Sequence, residues 1–217
     1  MNNLVLLFFL NNVLATLIIG GRFFFKSDKT FKYFGIALLL DAVAFTIWSI
    51  GIALKPVNLE TYVTYGVVFF IASLVFFLIA SAQDFSVKNR QIIIWLGVIV
   101  GAVVLYLRAF VYSSVPSFSQ QGFFFFNPNA IVQMLYIFAL VMATVPAIDA
   151  VASKFRLPYY NNLFKFGFLA QVAGGIVLLT SNVANPDTTA LNVAGWIISL
   201  SYLALLTTFG IGKKAWI

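Results

Sequence analysis

Eleven of the thirteen Lys and Arg residues sit in four short segments, and long apolar runs separate those segments. They are Arg22 to Lys32, Lys88 to Arg90, Lys154 to Lys165, and Lys213 with Lys214; only Lys55 and Arg108 lie elsewhere. Cations clustered in short loops stay on the cytoplasmic side when a chain inserts into a bilayer. The alternation therefore predicts an all-α, polytopic bundle of seven transmembrane helices, with the N-terminus outside and the C-terminus cytoplasmic. Composition points the same way: 9% of the residues are charged, against roughly one quarter in soluble domains. The net charge of +7 is then topogenic and lipid-facing, and no nucleic-acid partner is expected.

Apolar length along the chain places the helices at Leu4 to Phe25, Phe31 to Leu54, Tyr62 to Phe85, Gln91 to Tyr112, Ala130 to Ser153, Leu163 to Asn182 and Leu191 to Gly212, in one transmembrane domain over 1–217. The unbroken apolar stretch Val67 to Phe77 has none of the alternation of a membrane strand. The first run follows Met1-Asn2-Asn3 without a basic region or a small-residue cleavage site, so it is expected to be a retained helix rather than a signal peptide. Tyr62, Tyr65, Trp95, Tyr112, Tyr159, Tyr160 and Trp216 fall near span ends, at headgroup level. Trp48 and Trp196 fall deeper and read as packing residues.

The longest connector, Ser113 to Asn129, carries Pro116, Gly122, Pro128 and the run Phe123-Phe124-Phe125-Phe126. Consecutive Phe side chains are costly to leave in water. Phe124 and Phe125 are thus candidates for the outer mouth of the bundle. Three placements stay open: a lid over that mouth, a segment resting in the headgroups, or a contact with another subunit.

No Cys and no His occur. Zinc sites built on those ligands, haem ligation by either, thiol nucleophiles and Ser-His-Asp triads all need them. The expectation is a protein that is not an enzyme and holds no cofactor or metal. An arrangement of two parallel three-helix repeats around a linker helix would call for matching prolines in helices one and five; Pro146 interrupts helix five, and helix one has none.

Asp41 is the most expensive residue to place. It lies about 15 Å from the cytoplasmic end of helix two, near the bilayer centre. Carboxylates there usually face the bundle interior and mark ion paths, proton relays or ligand sites. Asn11, Asn12 and Gln171 reach comparable depth, so one reading is a ligand or proton site in which a neutral Asp41 bonds one of these amides. The other is interhelical glue. Arg108 and Gln133 lie one or two turns below the outer surface, where an Arg commonly snorkels to the headgroups; the functional alternative is an anion-binding or gating group under the Phe-rich loop. Asp149 is expected to pair with one of Lys154, Arg156 and Lys165. The spacing Gly97 to Gly101, and Gly167, Ala170, Gly174 and Gly175 on helix six, suit close helix packing. Pro146 should bend helix five and free a carbonyl near Met142.

A seven-helix layout with this orientation invites comparison with the microbial rhodopsins, but the predicted seventh helix has no Lys for a retinal Schiff base. The opening Phe8-Phe9-Leu10-Asn11-Asn12, the basic turn Arg22 to Lys32 and the helix-two segment Phe45-Thr46-Ile47-Trp48-Ser49 resemble the seven-helix sensor regions of bacterial histidine kinases. The likeness covers the whole chain in layout and the first two helices in residue pattern. It implies a multi-pass sensor of the bacterial inner membrane with no fixed catalytic motif. With no kinase after Ile217, a signal would pass to a separate partner. The expected function is a non-enzymatic sensor or accessory subunit answering a small apolar ligand, a lipid or a partner helix. Its expected partners are the bilayer and another membrane protein or a second copy. A small transporter or proton-coupled channel using Asp41, and a structural subunit of a larger complex, are the alternatives.

Overall fold

The computed structural model describes residues 3–54, 59–112, 115–118, 124–181 and 188–211, with side chains throughout these except at 3–8, 124 and 188. Among the described residues are seven α-helices: α1 (Asn3–Phe24), α2 (Lys29–Leu54), α3 (Leu59–Ser81), α4 (Val87–Tyr106), α5 (Ala130–Ala152), α6 (Pro158–Thr180) and α7 (Thr188–Leu205). Six of them, α2 to α7 with their flanking turns, are long and apolar enough to cross a membrane, which makes the chain a multi-pass membrane protein. The described side chains of α1 form a shorter apolar helix, Phe9–Phe24.

Local chemistry sets the helix starts. Asp28 accepts from Thr30 N at 2.8 Å and so caps α2. Asn129 caps α5 through Ile131 N at 2.9 Å. Pro158, at the first turn of α6, needs no amide partner there, so that helix begins five residues before the predicted Leu163. At two ends the predicted spans finish as π-helix: Leu107–Val111 after α4 and Leu206–Ile211 after α7. α5 stays helical through Pro146.

The helices do not pack in a simple ring of seven. α1, α2, α3, α5, α6 and α7 form the ring in that order, α7 closing against α1, while α4 packs outside against α3 and α5. Glycines set the closest crossings. A Cβ on Gly35 would stand 2.7 Å from the Gly20 carbonyl oxygen, so only paired glycines let α1 and α2 meet backbone to backbone. The small residues singled out in the sequence pack inside the bundle: Gly101 faces Ile71 on α3, and Gly167 faces Leu205 on α7.

The two ends of the ring are closed differently. At the end carrying the basic segments, buried Phe23, Phe31, Phe34, Phe155, Phe164 and Phe209 form one aromatic plug, with ring centroids 5.1 Å apart for Phe155 and Phe209 and 5.5 Å for Phe34 and Phe164. Ion pairs rim it: Lys165 with Asp149 at 2.5 Å, as expected for Asp149, and Lys154 with Asp84 at 3.3 Å. At the opposite end the α4–α5 connector contributes a short antiparallel hairpin, β1 (Ser117–Phe118) and β2 (Phe124–Phe125). Trp196 is a correction to the packing reading, since it is exposed on the outer face of α7, whereas Trp48 is buried as expected.

Candidate functional site

A cavity of about 130 Å³ lies inside the ring, between the aromatic plug and the hairpin. Its floor is made by Phe34, Phe77 and Phe168 from the plug side, and its cover by Phe126 and Pro128, which follow β2. Trp48 stands in the wall against that cover, with its ring 5.1 Å from Phe126 and Phe9 and Phe45 edge-on to it. Its position is fixed by the indole, which donates to the Val63 carbonyl on α3 at 3.2 Å. Gly66 leaves the room for this, because a Cβ there would collide with the Trp48 indole.

A polar belt crosses the cavity at mid-height. Asp41, 12 residues after Lys29, and Gln171, 13 after Pro158, sit about 18 and 20 Å from the basic ends of their helices at 1.5 Å per residue. Asp41 lines the cavity and is 9% exposed. Ser73 on α3 faces it, with its hydroxyl donating to the Phe70 carbonyl at 2.7 Å. The Asp41 Oδ1 has no hydrogen-bond partner among the described residues, and Tyr202 on α7 lines the same cavity. Gln171 is committed elsewhere: its Nε2 donates to the Ile198 carbonyl at 3.2 Å and to the Ser201 hydroxyl, tying α6 to α7. Gln171 is therefore not the amide that satisfies Asp41. Asn12 is buried in the lining, while Asn11 is half-buried and outside it.

The second polar group lies nearer the hairpin. Arg108 is 4% exposed and lines the cavity; it does not snorkel. The spacing Gly97, Gly101, Val104, Arg108 follows one helix face, and that face is turned to the bundle: Gly101 and Val104 are buried, and Gly97 meets Leu78 of α3. Arg108 continues the buried stripe from inside the π-helical segment, a local irregularity often found at functional positions. Tyr136 of α5 lines the same cavity. Tyr136 is 3% exposed, and its hydroxyl has no hydrogen-bond partner among the described residues.

Four of the predicted site residues, Asp41, Asn12, Gln171 and Arg108, therefore meet around one cavity. Gln133 is half-buried and does not line it. Phe125 is buried against Leu191 and Leu178 rather than in the cavity; Phe126 is the member of the Phe run that covers the space. Phe123, the side chain of Phe124, and Lys55, Lys213 and Lys214 lie outside the described residues. Ser73, Tyr136 and Tyr202 were missed. Tyr136 and Tyr202 carried a readable signal, since both lie inside predicted spans and away from the interfacial level where other tyrosines collect. The hydroxyls of Thr16, Ser49 and Thr144 are turned back to carbonyls four residues earlier in their own helices, which satisfies them within those helices.

The wall is aromatic and aliphatic, and its few polar groups are gathered at two levels. Such a space accepts a compact apolar molecule with a single polar end. Among the described residues no group of three or more His, Cys, Asp or Glu is placed to hold a metal ion. The chain matches no protein-family model, no curated protein and no solved structure.

Proposed function

We propose that the chain is a seven-helix, non-enzymatic membrane sensor or accessory subunit that holds a small apolar ligand in its central cavity and passes the resulting change in bundle packing to another membrane protein. In this reading α1 is the seventh span, the N-terminus is outside and the C-terminus cytoplasmic, and the membrane is a bacterial inner membrane. The likeness to histidine-kinase sensor regions belongs to the same proposal. The observation that carries it is the cavity of about 130 Å³ with its aromatic lining; an apolar cavity on the order of 150 Å³ holds a benzene-sized molecule. A ligand there touches all six ring helices through Phe9, Trp48, Val67, Tyr136, Phe168 and Ile198, so occupancy bears on the ring's helix contacts at once.

A transporter or proton-coupled channel working through Asp41 is the competing reading, and the Asp41 oxygen left without a hydrogen-bond partner among the described residues speaks for it. The plug speaks against it: Phe23, Phe34, Phe164 and Phe209 are fully buried between the cavity and the basic end. Close-packed rings of this kind leave no room for water.

Purification in mild detergent, followed by reconstitution into liposomes, separates the readings. The sensor reading expects a stoichiometric membrane partner and no solute or proton flux. A lone protein that conducts protons or a solute across liposomes would replace it with the transporter. Reporter fusions after Lys29 and Lys88 test the orientation and are expected to report the cytoplasm, with fusions after Val57 and Ser119 reporting the opposite side.

A further inference from the structure

Resting on the reading of the cavity as a ligand site, we propose that its hairpin-side half recognises a small apolar carboxylate, such as an aryl or short-chain acid. The carboxylate is held by Arg108 and the Tyr136 hydroxyl, and the apolar body lies against the aromatic walls.

Two independent observations converge on that half. Arg108 presents a buried guanidinium to the cavity, and its planar fork of N–H donors matches a carboxylate better than any other common group. Tyr136, which lines the same cavity, has a buried hydroxyl without a hydrogen-bond partner among the described residues. Buried polar groups in folded proteins are nearly always paired. A ligand oxygen at this point supplies the missing acceptor.

The apolar part of the assignment follows from what surrounds the two donors. Leu140, one turn from Tyr136 on α5, and Trp48 and Phe126 line the same space. A strongly hydrated, multiply charged anion would lose its water there without enough partners to replace it. Asp41 does not oppose the anion at close range. Its backbone stands 12 residues above Lys29, whereas that of Arg108 stands 21 above Val87. Counted from the starts of their helices, the two backbones differ by about 14 Å in height.

The test uses three probes of nearly equal size and different charge: benzoate, toluene and benzylamine. Each is measured by equilibrium dialysis against the full chain in nanodiscs, with empty nanodiscs subtracted. Benzoate is expected to bind at least about tenfold more tightly than the other two, the step expected from one charged hydrogen bond. Tyr136→Phe should weaken benzoate by about tenfold and leave toluene unchanged, which also reports that the variant is folded. Arg108→Gln should remove the preference for benzoate over toluene. Equal affinities for benzoate and toluene, or benzoate binding indifferent to Tyr136→Phe, would overturn the carboxylate assignment while leaving the apolar cavity standing. Tighter benzylamine would move recognition to Asp41 and overturn it as well. Binding of none of the three would overturn both the assignment and the reading it rests on.

Discussion

The Trp48 indole of α2 donates to the Val63 carbonyl of α3, 15 positions along the chain and on the next helix, at 3.2 Å. This bond crosses the pair of helices that also supplies Asp41 and Ser73, so the wall and the polar belt are held by one contact region. Trp48→Phe keeps an aromatic ring but removes the donor. It should cost about 1–2 kcal/mol, read as a lowered unfolding midpoint in mixed detergent micelles. Gly66→Ala, which puts a methyl group where the indole lies, should cost at least as much. The double variant should cost less than the sum, because both changes strike one contact.

Asp41 and Ser73 are expected to behave as a unit. Asp41→Asn retains a side chain that can bond Ser73 and should be nearly silent in stability. Asp41→Leu should cost about 1 kcal/mol, the range for a hydrogen bond between membrane helices. Ser73→Ala should remove most of the additional cost of Asp41→Leu. A full, additive cost in the double variant would show that the two do not act together.

Arg22 of α1 donates through Nη1 to the Phe209 carbonyl, in the π-helical end of α7, at 3.1 Å. A π-turn spaces its carbonyls for partners five residues on, which leaves acceptor capacity for a side chain from outside. Arg22→Met should cost about 1.5–3 kcal/mol, the range for a hydrogen bond to a charged group, and should speed amide exchange over Leu206–Ile211. The ion pair of Lys154 with Asp84 is a contrast, since the Asp84 side chain is 63% exposed. Asp84→Asn should change stability by less than about 1 kcal/mol.

The spans could be read from the chain because hydrocarbon thickness fixes their length and charge marks their ends. Helix α2 was placed to within two residues at its start and ends at Leu54 as read. Depth was legible for the same reason: Asp41, Asn12 and Gln171 do lie at similar levels. What depth cannot give is direction around the helix axis. Gln171 turns to α7, and the serine that faces Asp41 has nothing in the sequence to single it out from the chain's other Ser and Thr residues. The outside position of α4 was not legible either, because order around a ring depends on contacts between distant segments. The inward turn of Arg108 was within reach, because its spacing from Gly97 and Gly101 puts it on their face.

The central claim is that the cavity binds a small apolar ligand, and Gly175 offers the most direct measurement. It lines the cavity, and a Cβ there would make only ordinary contact with Leu140, at 3.4 Å, so Gly175→Leu fills the space from a position that tolerates a side chain. Toluene titrated against the full chain in nanodiscs should raise the unfolding temperature of the unaltered protein in a saturable way, by linkage of binding to stability. The same titration of Gly175→Leu, folded and at least as stable without toluene, should produce no shift. An equal, saturable shift in both proteins would place the toluene outside this cavity and contradict the account.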